Sequence, residues 1–168
     1  MGIFEVIKER RSIRTFQNKD IPEVAIAKII EAGSYAPSGH NNQPWGFAIV
    51  KDHAVKEQIA TLTAYSKIVK NANTLIVVFL DKEHSYDRDK DLMAIGACIQ
   101  NMLLFAHSEG IGSVWLGEIL KNKVKLREIM AVGEEKEVMA VVAFGYPDRK
   151  PAFTGRRGLD ELVCKKFL

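Results

Sequence analysis

The sequence has few of the features that mark a secreted, membrane-bound or disulfide-linked protein. Only two cysteines occur in 168 residues, Cys98 and Cys164, and two distant thiols do not make the disulfide framework of a secreted domain. No apolar run approaches the ~20 residues that a membrane-spanning helix needs. The first residues show an amphipathic pattern instead of a signal peptide. We therefore expect a cytoplasmic protein with reduced thiols and no membrane contact.

The sequence also lacks the motifs of several large enzyme classes. It contains no GxGxxG turn, no Walker lysine motif and no GxSxG elbow, which argues against a dinucleotide fold, a P-loop protein and a serine hydrolase. The four histidines are scattered and neither cysteine lies at ligand spacing, so we expect no metal site. The net charge of +3 is too small to indicate nucleic-acid binding by itself.

The order of the predicted elements indicates the layers of the fold. A chain of 168 residues is long enough for one domain with a sizeable core, and we expect a single domain over 1–168. Helices come first, and strands then alternate with helices, which predicts a sheet between two helical layers. The spacing predicts helices at 3–10, 22–33, 55–62, 91–109, 121–130 and 159–165, and strands at 47–50, 75–80, 112–116 and 138–144.

The helix predicted at 91–109 is apolar on almost every side. Leu92, Ile95 and Ile99 lie on one face, while Met93 and Phe105 extend the apolar surface around the helix. A helix of this kind is buried, either in a large core or in a subunit interface. For a chain of this size we expect part of the helix to lie in an interface.

A basic segment follows the first predicted helix. If the chain is extended there, Arg10, Ser12 and Arg14 point the same way, and two guanidiniums beside a hydroxyl suit a phosphate. A solvated basic turn is the alternative, and the spacing alone does not decide between the two. The pair Arg156-Arg157 becomes interesting only if it meets the first cluster in space.

A long polar connector occupies residues 36–45. Pro37 and Pro44 exclude a helix interior, and long ordered loops in compact domains are usually functional. Its amides donate and accept hydrogen bonds, so they suit a heteroaromatic ring with donors and acceptors along one side. We interpret His40 as a polar loop residue and Trp45 as a packing residue.

Together these segments resemble the nitroreductase family of FMN-dependent flavoproteins. Four motifs carry the resemblance, in the family's order: RRSIRTF at 10–16, APSGHNNQPW at 36–45, GIGSVWLG at 110–117, and GYP at 145–147 with the later basic pair. The resemblance implies an α+β fold of three layers, α-β-α, around a mostly antiparallel or mixed sheet. It also implies a homodimer with one FMN at each of two sites built across the interface.

The resemblance further implies residue roles. The basic segment holds the flavin phosphate and the pyrimidine side of the ring, the loop of the partner chain lies against the ring, the end of the third strand offers backbone groups near the reactive side, and the C-terminal basic residues return to the phosphate. In that order the matching positions are Arg10, Arg11, Ser12 and Arg14; Pro37, Ser38, Gly39, Asn41 and Gln43; Leu116, Gly117 and Glu118; and Arg156 and Arg157. In the region 63–73 only Lys67 and Asn71 are candidates for a further flavin contact.

The resemblance implies an oxidoreductase with a ping-pong reaction. NADH or NADPH reduces the flavin, and a nitroaromatic, a quinone or a similar electron-poor small molecule then takes up the hydride at the same face. The scheme requires no side-chain acid or base, so no catalytic residue is assigned. Two alternatives stay open: an FMN-binding protein for storage or sensing without reductase turnover, and a nucleic-acid-binding protein that uses its basic ends. The short segment 133–137 replaces an insertion that helps to cover the substrate in larger family members.

Overall fold

A computed structural model describes residues 2–149 and 151–167. In these residues the helices are α1 (Ile3–Glu9), α2 (Glu23–Ser34), α3 (His53–Ala60), α4 (Ser66–Asn71), α5 (Arg88–Ser108), α6 (Lys123–Ile129) and α7 (Leu159–Leu162). The strands are β1 (Trp45–Val50), β2 (Thr74–Asp81), β3 (Gly112–Leu116) and β4 (Lys136–Gly145), and 3-10 turns occupy Gly39–Asn41 and Glu118–Asn122. None of the helices in the described ranges is long and apolar enough to cross a bilayer.

The four strands form one antiparallel sheet in the order β1-β2-β4-β3. All eight residues of β2 are buried, as its continuous apolar run predicts. Successive side chains point to opposite faces, so Ile76 and Val78 join a core with α2 and α5. Leu75 and Val77 join a second core with α3, α4 and α6. The α+β fold with a sheet between two helical layers is therefore confirmed.

The long helix α5 begins earlier than its apolar pattern predicts. The Asp87 side chain accepts a hydrogen bond from the N–H of Lys90 at 3.1 Å, and this cap places the helix start at Arg88. The helix ends before Gly110, whose φ of 73° is the left-handed conformation that glycine adopts readily at this position. The sequence prediction missed one helical turn because the residues of that turn are charged.

Other predicted elements also differ at their ends. The helix predicted at 159–165 ends at Leu162. The helix predicted at 121–130 starts as a 3-10 turn and becomes α-helical at Lys123. The ambiguous region 63–73 contains α4. These differences leave the layers unchanged.

Residues 10–16 run as extended chain along the end of β3 and β4. The N–H of Ile13 donates to the carbonyl of Ser113 at 2.9 Å, and the N–H of Gln17 donates to the carbonyl of Tyr146 at 2.9 Å. These bonds fix the basic segment to the sheet, so the extended conformation expected for it is present.

Two glycines allow this segment to lie directly on the sheet. Gly112 and Gly145 face each other across β3 and β4. A Cβ atom on Gly112 would lie 2.8 Å from the Ile13 side chain, and one on Gly145 would lie 2.6 Å from the Phe16 ring. Because real Cβ contacts are not that short, any larger residue at either position would push the segment away.

Large apolar side chains of α1 and α5 are exposed. α1 buries Val6 but leaves Ile3 70% and Phe4 67% exposed. Met93 on α5 is 74% exposed in the single chain; part of this helix was predicted to lie in a subunit interface. Exposed apolar patches of this kind mark interaction surfaces in soluble proteins. The single chain therefore leaves part of the apolar surface of α5 free.

Candidate functional site

The two basic ends of the sequence meet in space. Arg10 is half-buried, and its pKa is lowered by burial and then by the nearby charges of Arg156 and Arg11. The Arg11 guanidinium lies over the Phe153 ring, 4.6 Å from its centroid. We use the name arginine cluster for Arg10, Arg11, Arg14, Arg149 and Arg156.

An open cavity of about 370 Å³ is lined by two members of the arginine cluster, Arg14 and Arg149. It is lined by Ser12, Arg14 and Thr15 from the basic segment and by Arg149 from the chain after β4. The N–H of Asp148 donates to the carbonyl of Thr15 at 3.1 Å, which brings these two stretches together. Arg149 was missed in the sequence, where its signal was the basic run that follows the GYP motif.

No carboxylate neutralises the arginine cluster in the part of the chain that the structure describes. None of its five guanidiniums forms an ion pair there. Arg14 donates to the backbone carbonyl of Ser12 at 3.4 Å, and Arg156 donates to that of Gly155 at 2.7 Å. Neighbouring cations repel one another, and a bound anion relieves that repulsion. The arginine cluster is therefore a candidate phosphate site.

Not every predicted basic residue joins this cluster. Arg157 is exposed, and its side chain makes no hydrogen bond or ion pair within residues 2–149 and 151–167. Ile13 is buried against the sheet, so Ser12 and Arg14 share the opposite side of the extended segment. Of the basic pair, the structure brings Arg156 to the cluster and leaves Arg157 outside it.

The connector at 36–45, here called the amide loop, has an unusual backbone. His40, Asn41 and Gln43 have φ values of 52°, 55° and 50°, in the left-handed region that non-glycine residues seldom occupy. The Ser38 hydroxyl accepts a hydrogen bond from the N–H of Gln43 at 3.0 Å and closes the loop on itself. Strain of this kind persists only where neighbouring groups hold it, and it clusters at binding sites.

The amide groups of the loop point outward. Asn41 and Gln43 are both exposed. The Gln43 Nε2 atom donates to the backbone carbonyl of Asn41 at 3.3 Å, which leaves the side-chain oxygen of Gln43 and the amide of Asn41 open to a ligand. Trp45 is half-buried and packs against the core of α2 and α5, as predicted.

The amide loop borders a second cavity of about 330 Å³. Residues 37–39 form one side, and Tyr86 and Lys90 form another. The ring of Tyr86 also meets the His40 ring at a centroid distance of 4.8 Å. Tyr86 was missed because the charged segment around it, 82–90, was predicted to be solvated. The arginine cluster and the amide loop thus line different cavities of one chain.

The end of β3 uses the side chain of Glu118 internally. Leu116 is buried, and the chain turns at Gly117. The Glu118 carboxylate pairs with Lys121 and accepts a hydrogen bond from the Thr63 hydroxyl at 2.6 Å. These two contacts, in that order, lower its pKa. The backbone of this turn, and not the carboxylate, is the part left for a ligand.

The structure adds little about the candidates in the region 63–73 and about metal binding. Lys67 and Asn71 lie exposed on α4. No group of three histidine, cysteine, aspartate or glutamate side chains suited to a metal ion occurs in the described residues.

Comparisons with known proteins identify the family of the chain. Residues 7–146 match the model of the nitroreductase family. A Methanothermobacter thermautotrophicus protein named "Putative NADH dehydrogenase/NAD(P)H nitroreductase" is 34% identical over 169 residues, covering 99% of this chain and 88% of that protein. An Archaeoglobus fulgidus protein of the same name is 36% identical over 152 residues, covering 89% of this chain and 87% of that protein.

A solved structure extends the match to three dimensions. The crystal structure of a "putative nitroreductase" from Desulfovibrio desulfuricans in complex with FMN superposes with a TM-score of 0.95 at 38% sequence identity. The match covers 100% of this chain and 98% of that chain. The chain therefore belongs to the nitroreductase family, a family of oxidoreductases.

Proposed function

We propose that the protein binds FMN and, as a single domain over 1–168, acts as an NAD(P)H-dependent oxidoreductase on electron-poor small molecules such as nitroaromatics and quinones. The observation that carries this proposal is the arginine cluster, in which the half-buried Arg10 and its neighbours form no ion pair with a carboxylate among the described residues. Two relatives support it. The Desulfovibrio desulfuricans structure is a complex with FMN, and the Methanothermobacter thermautotrophicus protein is named an NAD(P)H nitroreductase.

The arginine cluster fits the phosphate end of FMN. Arg10, Arg14 and Arg156 offer planar donors to phosphate oxygens, and the Ser12 hydroxyl adds a donor in the cavity that Arg14 lines. Arg11 is held against Phe153, so its charge stays beside the site. Each charged hydrogen bond contributes about 1.5–3 kcal/mol to binding. Arg149 joins the set of residues proposed from the sequence, and Arg157 is its weakest member.

The amide loop and the β3 turn fit the flavin ring. Residues 37–39 provide a small-residue wall, and the amides of Asn41 and Gln43 can meet ring nitrogens and carbonyls. We propose that the backbone at Gly117 and Glu118 meets the ring, since the Glu118 carboxylate is engaged with Thr63. Bound FMN supplies the transfer of a hydride from NADH or NADPH to the acceptor. The chain orients the ring and stabilises negative charge on it with N–H donors and arginines.

We propose that a second copy of the chain completes each site. The two sets of ligand-facing residues line separate cavities in one chain, as expected if each chain gives the phosphate site to one FMN and the amide loop to another. The exposed side chains of Ile3, Phe4 and Met93 supply an apolar surface for the contact. A symmetric dimer would bury this surface once on each chain.

The visible spectrum of the purified protein tests the cofactor. We expect a flavin band, with FMN released on denaturation in an amount equal to that of the chain. Anaerobic addition of NADH or NADPH should bleach the band, and a nitroaromatic or a quinone should restore it. Bound flavin that stays oxidised under excess of both nucleotides would instead indicate storage or sensing. A colourless protein that binds DNA with a steep salt dependence would overturn the proposal.

A further inference from the structure

A fully buried carboxylate lies near the start of α5, next to the amide loop. The side chain of Asp91 has no exposed surface. Its Oδ2 atom accepts hydrogen bonds from the Ser85 hydroxyl at 2.6 Å, from the N–H of Tyr86 at 3.1 Å and from the N–H of Asp87 at 3.3 Å. A buried carboxylate is costly unless such bonds are made. Asp91 therefore ties the segment 85–87 to the helix.

The other carboxylate oxygen of Asp91 ties no further described residue to the helix. The Oδ1 atom of Asp91 is buried and has no hydrogen-bond partner within the described part of the chain. All hydrogen bonds that the structure gives this carboxylate thus go to residues 85–87. The buried carboxylate of Asp91 therefore determines the position of residues 85–87.

The segment held by Asp91 carries Tyr86, and the Tyr86 ring packs on the amide loop. A Cβ atom on Gly39 would lie 2.1 Å from the Tyr86 hydroxyl oxygen and 2.4 Å from a ring carbon, so the ring covers Gly39 directly. The His40 ring contacts Tyr86 with its planes at 72°, an edge-to-face arrangement. The Lys90 ammonium lies 5.1 Å from the centre of the Tyr86 ring.

We infer that Asp91, acting through Tyr86, is a positioning residue for the 37–39 wall of the FMN site, an inference that rests on the proposed function. The left-handed backbone at His40 and Asn41 is unfavourable and needs neighbours to hold it. The Tyr86 ring is such a neighbour, and Asp91 fixes the backbone from which that ring extends. A Cβ at Gly39 would displace the ring, which is free to move because Tyr86 is 41% exposed.

The test is a double-mutant cycle on the flavin-loaded protein, read as the dissociation constant of FMN from flavin fluorescence. Tyr86→Ala and Gly39→Ala should each raise this constant about tenfold. The dissociation constant of the double variant should also be about tenfold above that of the parent, since removal of the ring makes room for the new methyl group. Tyr86→Phe keeps the ring and should bind FMN within about twofold of the parent, with an unshifted visible band.

A double-mutant cycle of the same design tests the role of Asp91. Asp91→Asn should raise the FMN dissociation constant in the parent protein but not in the Tyr86→Ala background. If Asp91→Asn does not fold, Ser85→Ala removes one of the three donors and should show the same dependence with a smaller rise. Fold integrity is followed by circular dichroism in every variant.

Three outcomes would overturn the inference. Additive losses in the Gly39→Ala, Tyr86→Ala double variant would mean that Gly39 acts on the flavin directly. Unchanged FMN binding in Tyr86→Ala would remove the positioning role, as would a loss in Tyr86→Phe equal to that in Tyr86→Ala. A parent protein that binds no flavin would instead refute the proposed function, and that result is seen before any variant is made.

Discussion

Arginine side chains occupy two contrasting environments in this protein. In the arginine cluster, Arg10 and Arg156 lie close together and form no ion pair with a carboxylate among the described residues. At the start of α5, Arg88 donates hydrogen bonds to Glu137 at 2.8 and 3.1 Å, and Lys123 donates another at 2.7 Å. The Arg88 bonds, followed by those of Lys123, lower the pKa of Glu137 to about 2.

The contrast separates two uses of positive charge. The cations around Glu137 are neutralised and join α5, α6 and β4, so their role is structural. The cations around Ser12 have no ion-pair partner in the ranges 2–149 and 151–167, and two of them, Arg14 and Arg149, line a cavity. Both regions are rich in arginine or lysine, and only the placement of a carboxylate distinguishes them. Four experiments test this distinction.

The largest effect is expected on FMN binding. Arg14→Ala removes a cation that lines the phosphate cavity, and the dissociation constant of FMN should rise about 10- to 100-fold, which corresponds to about 1.5–3 kcal/mol. Lys123→Ala is the matched control, because it removes one positive charge from the neutralised region, and it should change FMN affinity by less than about twofold. Fluorescence titration measures both. Equal losses of FMN affinity in the two variants would show that the two regions do not differ in their effect on FMN binding.

The next largest effect is expected from a change in β4, on which the basic segment of the arginine cluster lies. Gly145→Ala places a methyl group where the Phe16 ring lies, and it should lower the free energy of unfolding by about 1–3 kcal/mol and weaken FMN binding. Gly46→Ala is the control on the same sheet, since its nearest neighbours would lie 3.9 Å from the new atom. Urea denaturation followed by circular dichroism compares them. A Gly145→Ala protein as stable as Gly46→Ala would contradict the close packing.

The neutralised region should show its role in the pH dependence of stability. The pKa of Glu137 is about 2 in the folded chain, below its ordinary value of 4.5. Its contribution is therefore complete above pH 4.5 and is lost as the pH falls towards 2. Glu137→Gln should lower the free energy of unfolding by about 1–2 kcal/mol at pH 7, after allowance for solvent screening, and the difference should shrink in acid.

Urea denaturation of both proteins at neutral and acid pH measures this difference. FMN affinity at pH 7 should stay unchanged in Glu137→Gln. A difference in stability that persists at the acid end would show that charge at Glu137 is not its cause.

Raising the salt concentration should produce the smallest effect. It should act differently on the arginine cluster and on the region around Glu137. The guanidinium of Arg14 is exposed, so raising the ionic strength should weaken FMN binding by about fivefold at most. The Glu137 side chain is only 15% exposed, so the stability difference caused by Glu137→Gln should change less over the same range. FMN titrations and denaturation curves in low and high salt compare the two. FMN affinity that does not respond to salt would argue against a charged phosphate site.

The sequence predicted the layers well because they depend on local patterns. The strand predicted at 112–116 has the same bounds in the structure, and the run at 75–80 lies inside the fully buried β2. Helix ends were less accurate because caps decide them. The Asp87 cap added a charged turn to α5 that no apolar periodicity could reveal.

The arrangement of the site depended on long-range contacts that periodicity cannot supply. The sequence placed basic residues near both ends, but their meeting requires that residues 10–16 lie on β3 and β4, where Gly112 and Gly145 make room. Arg149 and Tyr86 were missed for the same reason. Each lies in a charged segment that looks solvated, and only tertiary contacts bring it to a cavity.

The backbone of the amide loop was also beyond prediction. Asparagine is tolerated in the left-handed region, but nothing in the sequence marks His40, Asn41 and Gln43 together as residues with positive φ. Likewise, the apolar side chains of α1 predicted one shared face. They did not show that Ile3 and Phe4 would stay exposed in a single chain.

The two sides of the sheet differ in how they face other molecules. Beside β3, a bridge between Ser12 and Ser113 lets the basic segment shield an outer strand. Within the described ranges, β1 pairs only with β2, so the opposite side of Trp45–Val50 has no neighbouring strand. Unpaired strand edges recruit strands from other chains. Aggregation of this protein is therefore expected to begin at β1, where Ile49 is 51% exposed.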